Sequence, residues 1–169
     1  MQRVIIIGSP GAGKSTFARA LQARTGLPLF YLDMLNHLPD RSTVSRPEFD
    51  RRLNEILCQE RWIIDGNYSR TIPLRLAACD TVFLLDFPTE VCLAGAAARV
   101  GTHRPDMPWV ENEFDPEFRQ FIEHFREERL PRIDALLAQY ENELEIHRFR
   151  SRAEAEAYLE TLDRALYYA

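Results

Sequence analysis

The residues best suited to chemistry in this chain run from Gly8 to Ser15 and match the pattern Gly-x-x-x-x-Gly-Lys-Ser/Thr. Glycines in such a segment let backbone N–H groups converge on one anion without a clash from Cβ atoms. The lysine supplies an ammonium group that reaches the β- and γ-phosphates of a nucleotide, and the serine hydroxyl can bind Mg²⁺. The residues expected to contact the nucleotide here are Gly8, Ser9, Pro10, Gly11, Ala12, Gly13, Lys14, Ser15 and Thr16.

The segment also has the flanks that a phosphate-binding loop requires. The apolar run Val4 to Ile7 predicts a strand before it, and a helix is expected to begin at Lys14 and to present its positive end to the same anion. Lys14 is the only lysine among the 21 Lys and Arg residues of the chain. A compact ammonium suits a phosphate site better than a planar guanidinium does, so this placement supports the interpretation.

The elements around the loop alternate between short β-branched or aromatic runs and longer stretches of helical period, which predicts an α/β fold with a parallel sheet between helices. Helices are expected from Lys14 to about Arg24, from near Pro47, and from Ser151, which has capping-box spacing to Glu154. Residues 1–169 are expected to form one domain. The strands are predicted at about 3–7, 28–32, 62–65, 81–86 and 144–149.

Acidic residues follow three of the predicted strands, at the sheet edge where ligands of such folds collect. Asp65 is the preferred carboxylate for organising Mg²⁺, together with Ser15. Asp33 is a candidate base toward a substrate hydroxyl or an orienting acceptor, with the alternative of an N-cap for a helix over 34–37. Asp86 is expected to fix its loop or, alternatively, to contact the metal.

Three arginines are candidates for stabilising charge on a transferred phosphoryl group, namely Arg70, Arg99 and Arg104. Each has the alternative of an ordinary surface residue. Arg99 precedes a segment at 101–116 that contains three prolines, and Arg104 lies within it. This segment predicts a mobile lid or, alternatively, a solvated connection.

The composition excludes several classes of protein. A formal net charge of -5 argues against nucleic acid as a partner, since such proteins carry clusters of Lys and Arg. The three cysteines are widely spaced in apolar surroundings, which indicates reduced core residues in a cytoplasmic protein, and the four histidines lack metal-ligand spacing. Neither a signal peptide nor a membrane span is expected.

Several segments together resemble the adenylate-kinase-like P-loop proteins, and most closely the bacterial group labelled DNA topology modulation protein or FlaR-like. The resemblance covers nearly the whole chain. The segments that carry it are the loop with its preceding strand at 6–15, Tyr-Leu-Asp at 31–33, Trp-Ile-Ile-Asp-Gly-Asn-Tyr-Ser-Arg-Thr at 62–71, Phe-Leu-Leu-Asp-Phe-Pro at 83–88 and Thr-His-Arg-Pro-Asp-Met at 102–107.

The resemblance implies a nucleoside-monophosphate-kinase-like P-loop NTPase, with five parallel strands in the order 2-3-1-4-5 and a lid after the fourth strand. It implies that Asp65 is the acidic residue beside the loop. It also implies that Arg104 and Arg99 contact ATP phosphates or adenine from the lid, and that adenine lies near residues 149–153.

Two departures from the kinase pattern concern the second substrate. Nucleoside monophosphate kinases have Asp-Gly-Phe-Pro-Arg-Thr after the third strand, whereas this chain has changed residues and one extra position between Asp65 and Thr71. Where those kinases have Asp-Met-Leu-Arg, this chain has Asn36 in place of the arginine that would hold the acceptor's phosphate. AMP is therefore disfavoured as acceptor, and another small acceptor or plain ATP hydrolysis remains open.

The leading hypothesis is a Mg²⁺-dependent phosphotransferase, an adenylate-kinase-like kinase that uses ATP and an unidentified small acceptor. The alternative is a nucleotide-dependent regulatory ATPase or switch of the topology-modulation type that has no small-molecule acceptor. A third alternative is a fold of this kind that has lost its nucleotide.

Overall fold

The computed structural model describes residues 1–167 and contains a five-stranded sheet that is covered by helices on both faces. The strands are β1 (Arg3–Gly8), β2 (Leu29–Tyr31), β3 (Trp62–Asp65), β4 (Thr81–Leu85) and β5 (Glu145–Phe149). The helices in the described part of the chain are α1 (Lys14–Thr25), α2 (Leu32–Asn36), α3 (Arg46–Leu57), α4 (Ile72–Ala78), α5 (Thr89–Ala97), α6 (Pro116–Glu128), α7 (Leu130–Leu137) and α8 (Arg152–Tyr167), with single 3-10 turns at Ser69–Thr71 and Ala138–Tyr140.

All strand pairs are parallel, and the order across the sheet is β2-β3-β1-β4-β5. The predicted fold class and strand order are therefore confirmed. Each strand begins and ends within one residue of its predicted position. The register aligns Ile6 with Asp65 and Gly8 with Leu85, so the loops that follow β1, β3 and β4 meet at one edge of the sheet.

Strand β1 lies at the centre and is buried on both faces, which explains its continuous apolar sequence. Successive side chains point to opposite faces of a strand, and the core is divided accordingly. Val4 and Ile6 pack with residues of α1, α5 and α8, including Phe17. Ile5 and Ile7 pack in a second cluster with residues of α3, α4 and α7.

Local signals set the helix ends. Helix α1 ends at Gly26, whose φ of 67° is the left-handed conformation expected there and whose N–H donates to the Gln22 carbonyl. Helix α8 begins after Ser151, which accepts from the Glu154 N–H at 3.2 Å. The Glu154 carboxylate reaches the Arg150 N–H, one position before the residue that a standard capping box would use.

The chain between Gly101 and Asp115 forms neither helix nor strand. Its ends are tied together by the Gly101 N–H, which donates to the Glu111 carbonyl at 2.7 Å. Asp115 then caps α6 by accepting from the N–H groups of Glu117 and Phe118. The segment is therefore a closed loop beside the carboxyl edge of the sheet. Within residues 1–167, no helix is long and apolar enough to cross a membrane.

Helix α5 packs against the loop after β1 backbone to backbone. A Cβ atom at Gly95 would collide with the Gly11 carbonyl oxygen, and one at Gly11 would collide with the Cys92 carbonyl. The absence of side chains at these two glycines therefore sets how closely the helix approaches the loop.

We expect Gly95→Ala to destabilise the protein by about 1–3 kcal/mol, because the added methyl group overpacks this contact. Helix propensity alone would make the same change stabilising by about 1 kcal/mol. Urea unfolding measures the difference. Ala94→Gly, at an exposed position of the same helix, is the control and should cost only the propensity term of about 1 kcal/mol. A Gly95→Ala protein as stable as the parent would contradict the close packing.

Candidate active site

The loop from Gly8 to Gly13 turns by means of three glycines with positive φ, at 142° for Gly8, 81° for Gly11 and 91° for Gly13. Gly8 has a second reason to lack a side chain, since a Cβ there would meet the backbone of Leu85 on β4. Helix α1 starts directly after this turn, at Lys14. The loop thus directs backbone N–H groups and a helix N-terminus to one place, which is the arrangement that binds phosphates.

Lys14 lies back over its own loop. Its Nζ donates to the carbonyls of Gly8 and Ser9, each at 3.1 Å. Burial lowers the pKa of Lys14, while the charges of Asp65 and Asp33 oppose the shift. The ammonium group is held at the mouth of the loop by two neutral acceptors, and an anion would be a stronger partner for it.

Ser15 and Asp65 form a close polar pair, with Ser15 Oγ donating to Asp65 Oδ2 at 2.6 Å. The second carboxylate oxygen, Asp65 Oδ1, is buried and has no hydrogen-bond partner in the described part of the chain. Burial raises the pKa of Asp65 to about 6, and the nearby charge of Lys14 limits the rise.

This pair meets the requirements of a Mg²⁺ site, because it offers a hydroxyl and a carboxylate oxygen that lacks a partner. Among residues 1–167, no group of three or more His, Cys, Asp and Glu residues is arranged to hold a metal. A Mg²⁺ ion here would therefore take its remaining ligands from water and from nucleotide phosphates, which is the usual arrangement at such sites.

Asn67 is a site residue that the sequence reasoning missed. Its Oδ1 accepts from the Gly8 N–H at 3.1 Å, and its Nδ2 donates to the Gly8 carbonyl at 2.8 Å. The side chain thus pairs with both backbone groups of the residue that opens the loop. The only signal in the sequence is the departure from the kinase pattern between Asp65 and Thr71.

Arg75 on α4 is a second missed residue. It is completely buried, and its guanidinium donates to the carbonyl of Gly66 at 2.8 Å and to the carbonyl of Asn67. Burial lowers its pKa to about 10. The arginine therefore holds the backbone of the loop that carries Asn67.

Asp33 faces the phosphate loop from α2. Its carboxylate accepts from the Tyr68 hydroxyl at 2.9 Å and is 42% exposed. The alternative prediction that Asp33 caps a helix over 34–37 is wrong, because α2 begins at Leu32 and Tyr31 occupies the cap position. Asp33 therefore lies in the first turn, and its side chain remains available for other contacts.

The three candidate arginines are not equivalent. Arg99 and Arg104 line the cavity above the loop, whereas Arg70 does not line it and instead binds Asp50 of α3 at 2.6 Å, half exposed. Arg70 therefore does not lie where a transferred phosphoryl group was expected, because its guanidinium is bound by the Asp50 carboxylate. Arg104 is also paired, at 3.4 Å from Asp106 and 3.3 Å from Glu111.

Asp86 fixes its loop, which is one of the two roles expected for it. It is buried and binds Arg126 at 2.9 Å and Arg148 at 2.8 Å. Contact with a metal is the wrong alternative, because both carboxylate oxygens are already used by arginines and Ser15 pairs with Asp65 instead.

A cavity of about 780 Å³ opens over the phosphate loop, which is within the usual range for small-molecule sites. It extends between α1, the segment that contains Arg104, and the start of α8, where Arg152 faces it. Arg152 falls within the range 149–153 where adenine was expected. The lining residues from the loop and the first turn of α1 are Gly11, Ala12, Gly13, Lys14, Ser15 and Thr16.

Comparisons with known proteins agree with this architecture. The adenylate kinase of Thermotoga neapolitana is 28% identical over 97 residues, which cover 56% of this chain and 43% of that protein. The adenylate kinase of Thermotoga maritima is 29% identical over the same coverage. A crystal structure of shikimate kinase from Bacteroides thetaiotaomicron superposes with a TM-score of 0.62 and 19% identity, over 98% of both chains. No protein-family model matches the chain.

The chain has a P-loop, kinase-like fold. The sequence match spans less than half the length of the adenylate kinases, and the structural match has low identity. These comparisons therefore establish the fold, and they do not confirm the resemblance to the topology modulation group.

We expect Asp65→Asn to stabilise the protein at pH 7 by about 1–3 kcal/mol, because the pKa of Asp65 is raised to about 6 in the folded state and lies at about 4 in the unfolded chain. The folded state binds the additional proton between these values, so stability should fall as pH rises from about 4 to 6 and then level off. Urea unfolding at pH 5 and pH 7 measures this.

Asp86→Asn is the matched control, since Asp86 is equally buried but is bound by two arginines. We expect it to destabilise the protein by about 1–3 kcal/mol, because the change removes the carboxylate charge from the hydrogen bonds that Asp86 accepts from Arg126 and Arg148. A loss of stability in Asp65→Asn at pH 7 would contradict the raised pKa of the Asp65 carboxyl in the folded state.

We expect Asn67→Ala to weaken Mg²⁺-ATP binding about tenfold, because it removes both hydrogen bonds that hold Gly8. Isothermal titration calorimetry measures the change in Kd. Asn54→Ala, at an exposed position on α3, is the control and should leave the Kd unchanged. Equal affinity in Asn67→Ala and in the parent protein would show that the loop holds its shape without the amide.

Proposed function

We propose that the protein is a Mg²⁺-dependent phosphotransferase that moves the γ-phosphoryl group of ATP to a small acceptor. The observation that carries the proposal is the meeting of Lys14, the Ser15–Asp65 pair and Asp33 at one edge of the sheet. These are a phosphate-binding cation, a metal-binding pair and a base. The similarity to adenylate kinases supports the same class of reaction.

In this proposal, the loop amides bind the phosphates and Lys14 exchanges the carbonyls of Gly8 and Ser9 for phosphate oxygens. Asn67 keeps the Gly8 carbonyl satisfied when Lys14 leaves it, since both groups donate to that oxygen. Ser15 and Asp65 would hold the metal. When bound, Mg²⁺ supplies positive charge that neutralises the phosphate oxygens.

Asp33 is the proposed base. Its carboxylate is partly exposed and close to Lys14, so it can accept a proton from an acceptor hydroxyl. Arg99 and Arg104 would stabilise charge on the transferred group, and Arg104 would have to leave Asp106 and Glu111 to do so. Arg70 has no part in the proposed transfer, because its pairing with Asp50 keeps it from the cavity.

Three further points belong to the proposal. Residues 1–169 act as one domain, and the segment 101–116 acts as a lid that closes over the bound nucleotide. The cytoplasm is the proposed location, where ATP and Mg²⁺ are supplied. Membership of the topology modulation group rests on the sequence resemblance alone.

A regulatory switch without an acceptor is the second candidate. The observation that favours it is the pairing of Arg104 with two carboxylates of its own segment, because ATP phosphates would compete for that arginine and release the segment. The switch predicts tight ATP binding, negligible transfer and a complex that depends on nucleotide. A DNA complex would have to be sensitive to salt, which a filter-binding titration tests.

We expect Lys14→Ala to weaken Mg²⁺-ATP binding about 100-fold, because a charge-assisted contact to the phosphates is lost. Lys14→Arg should also bind poorly, since a planar guanidinium does not fit a site built for an ammonium. Calorimetry measures both, with circular dichroism to verify folding. A Lys14→Ala protein that binds ATP within threefold of the parent would contradict nucleotide binding at this loop.

Transfer itself is tested by measuring ADP formation from Mg²⁺-ATP with a panel of nucleosides, nucleotides and hydroxylated metabolites. Stimulation by one acceptor, and its loss in Asp33→Asn, is the expected result. Tight ATP binding without stimulation by any acceptor would contradict the phosphotransferase and favour the switch.

A further inference from the structure

A cluster of polar and aromatic side chains lies around Asp33, which is not among the residues that line the ATP cavity. We call Asp33, Asn36, His37, Tyr68 and Trp109 the Asp33 cluster. The Tyr68 hydroxyl donates to Asp33, and His37 Nε2 lies 4.0 Å from the same carboxylate oxygen. Trp109, from the segment 101–116, packs edge-on against the His37 ring at 5.0 Å.

Tyr68 occupies a left-handed backbone conformation, with φ of 37°, that is uncommon for a residue other than glycine. Its ring stacks on Phe49 of α3 at 5.0 Å, which fixes the hydroxyl between Asp33 and Asn36. Backbone strain of this kind concentrates at functional sites. The cluster is therefore built to place a hydroxyl group and an amide beside the carboxylate.

The arginines that flank the cluster are already bound to other groups. Arg52 donates to Glu48 at 2.6 Å and to the Leu35 carbonyl at 3.1 Å. Arg70 binds Asp50. A phosphate or carboxylate beside Asp33 would have to displace these partners to reach either arginine.

The charges that face Asp33 from the other side belong to the ATP site. Burial lowers the pKa of Lys14 and of Arg99, and the charge of Asp33 opposes the shift in both. Asp65 adds a second negative charge near Asp33. Once ATP occupies Lys14 and Arg99, an acceptor beside Asp33 meets the carboxylates of Asp33 and Asp65, and the nearby His37 imidazole already lies 4.0 Å from Asp33. An anionic acceptor would therefore meet no cation that does not already face a carboxylate.

We propose that the phosphoryl acceptor is a small hydroxyl compound that carries no phosphate or carboxylate group, and that it binds to Asp33 and Tyr68 against the rings of His37 and Trp109. This inference rests on the proposed phosphotransferase activity and names the class of its substrate. It sets the chain apart from the adenylate kinases that it matches, whose substrate adenylate bears a phosphate.

The transfer then balances without a further reactant. The acceptor oxygen forms a bond to the γ-phosphorus, and the bond from that phosphorus to the oxygen bridging the β-phosphorus breaks. ADP leaves with the bonding electron pair, and the hydroxyl proton passes to Asp33. Tyr68 donates to Asp33 before the acceptor arrives and keeps the carboxylate directed toward it.

Paired acceptors separate this inference from the proposed function. ADP formation is measured with adenosine and AMP, with ribose and ribose 5-phosphate, and with glycerol and glycerol phosphate. We expect kcat/KM for an unphosphorylated member to exceed that of its phosphate ester at least 100-fold. Preference for the esters would overturn the inference and leave the proposed function standing, whereas no turnover with any pair would contradict both.

Binding of diadenosine pentaphosphate gives a readout that needs no turnover. This compound joins ATP to an adenylate, and linked occupation of two sites strengthens binding by about 10²–10⁴-fold where both sites accept their halves. We expect its Kd to lie within about threefold of the Kd of ATP. Binding about 100-fold tighter than ATP would show that the acceptor side takes a phosphate ester, which overturns the inference.

Asn36→Arg adds a cation beside the Tyr68 hydroxyl, and Asn36→Gln is the control that adds length without charge. We expect diadenosine pentaphosphate to bind about tenfold tighter to Asn36→Arg than to Asn36→Gln, with the Kd of ATP unchanged in both. Equal affinity of the two variants would show that the missing charge at this position does not exclude the phosphate, and it would overturn the inference.

Discussion

The peptide groups of Gly8 are held from three directions, and the rest of the site depends on that constraint. The backbone of Leu85 leaves no room for a side chain, Asn67 pairs with the N–H and the carbonyl, and Lys14 donates to the same carbonyl. A loop of glycines alone would have large conformational freedom, since glycine loses more entropy on ordering than any other residue. These contacts select the one shape that directs its amides inward.

The same contacts join the two halves of the site. Asn67 and Tyr68 are adjacent in the chain, yet one holds the phosphate loop while the other holds Asp33. Arg75 fixes the carbonyls of Gly66 and Asn67 from below. A displacement of this short connection would therefore move the phosphate loop and the proposed base together. The left-handed backbone of Tyr68 is consistent with the demands of serving both sides.

The sequence was sufficient for the fold and for the part of the site that is local in the chain. Strong hydrophobic runs defined the central strands β1, β3 and β4, and the Gly8–Ser15 pattern placed Lys14 because loop and helix are contiguous. Asn67 was missed because its partner lies 59 residues away, and nothing in composition reports which side chains cross such a distance. The position of Arg70 differs from the expected one for a related reason, since its pairing with Asp50 on α3 is also a tertiary contact.

A crystal structure with Mg²⁺ and a non-hydrolysable ATP analogue tests the central claim most directly. We expect Lys14 Nζ to have left the carbonyls of Gly8 and Ser9 for the β- and γ-phosphate oxygens, while the Asn67 amide remains on Gly8. The metal should contact Ser15 Oγ, with Asp65 beside it. An analogue bound elsewhere, with Lys14 still on its own loop, would contradict the account.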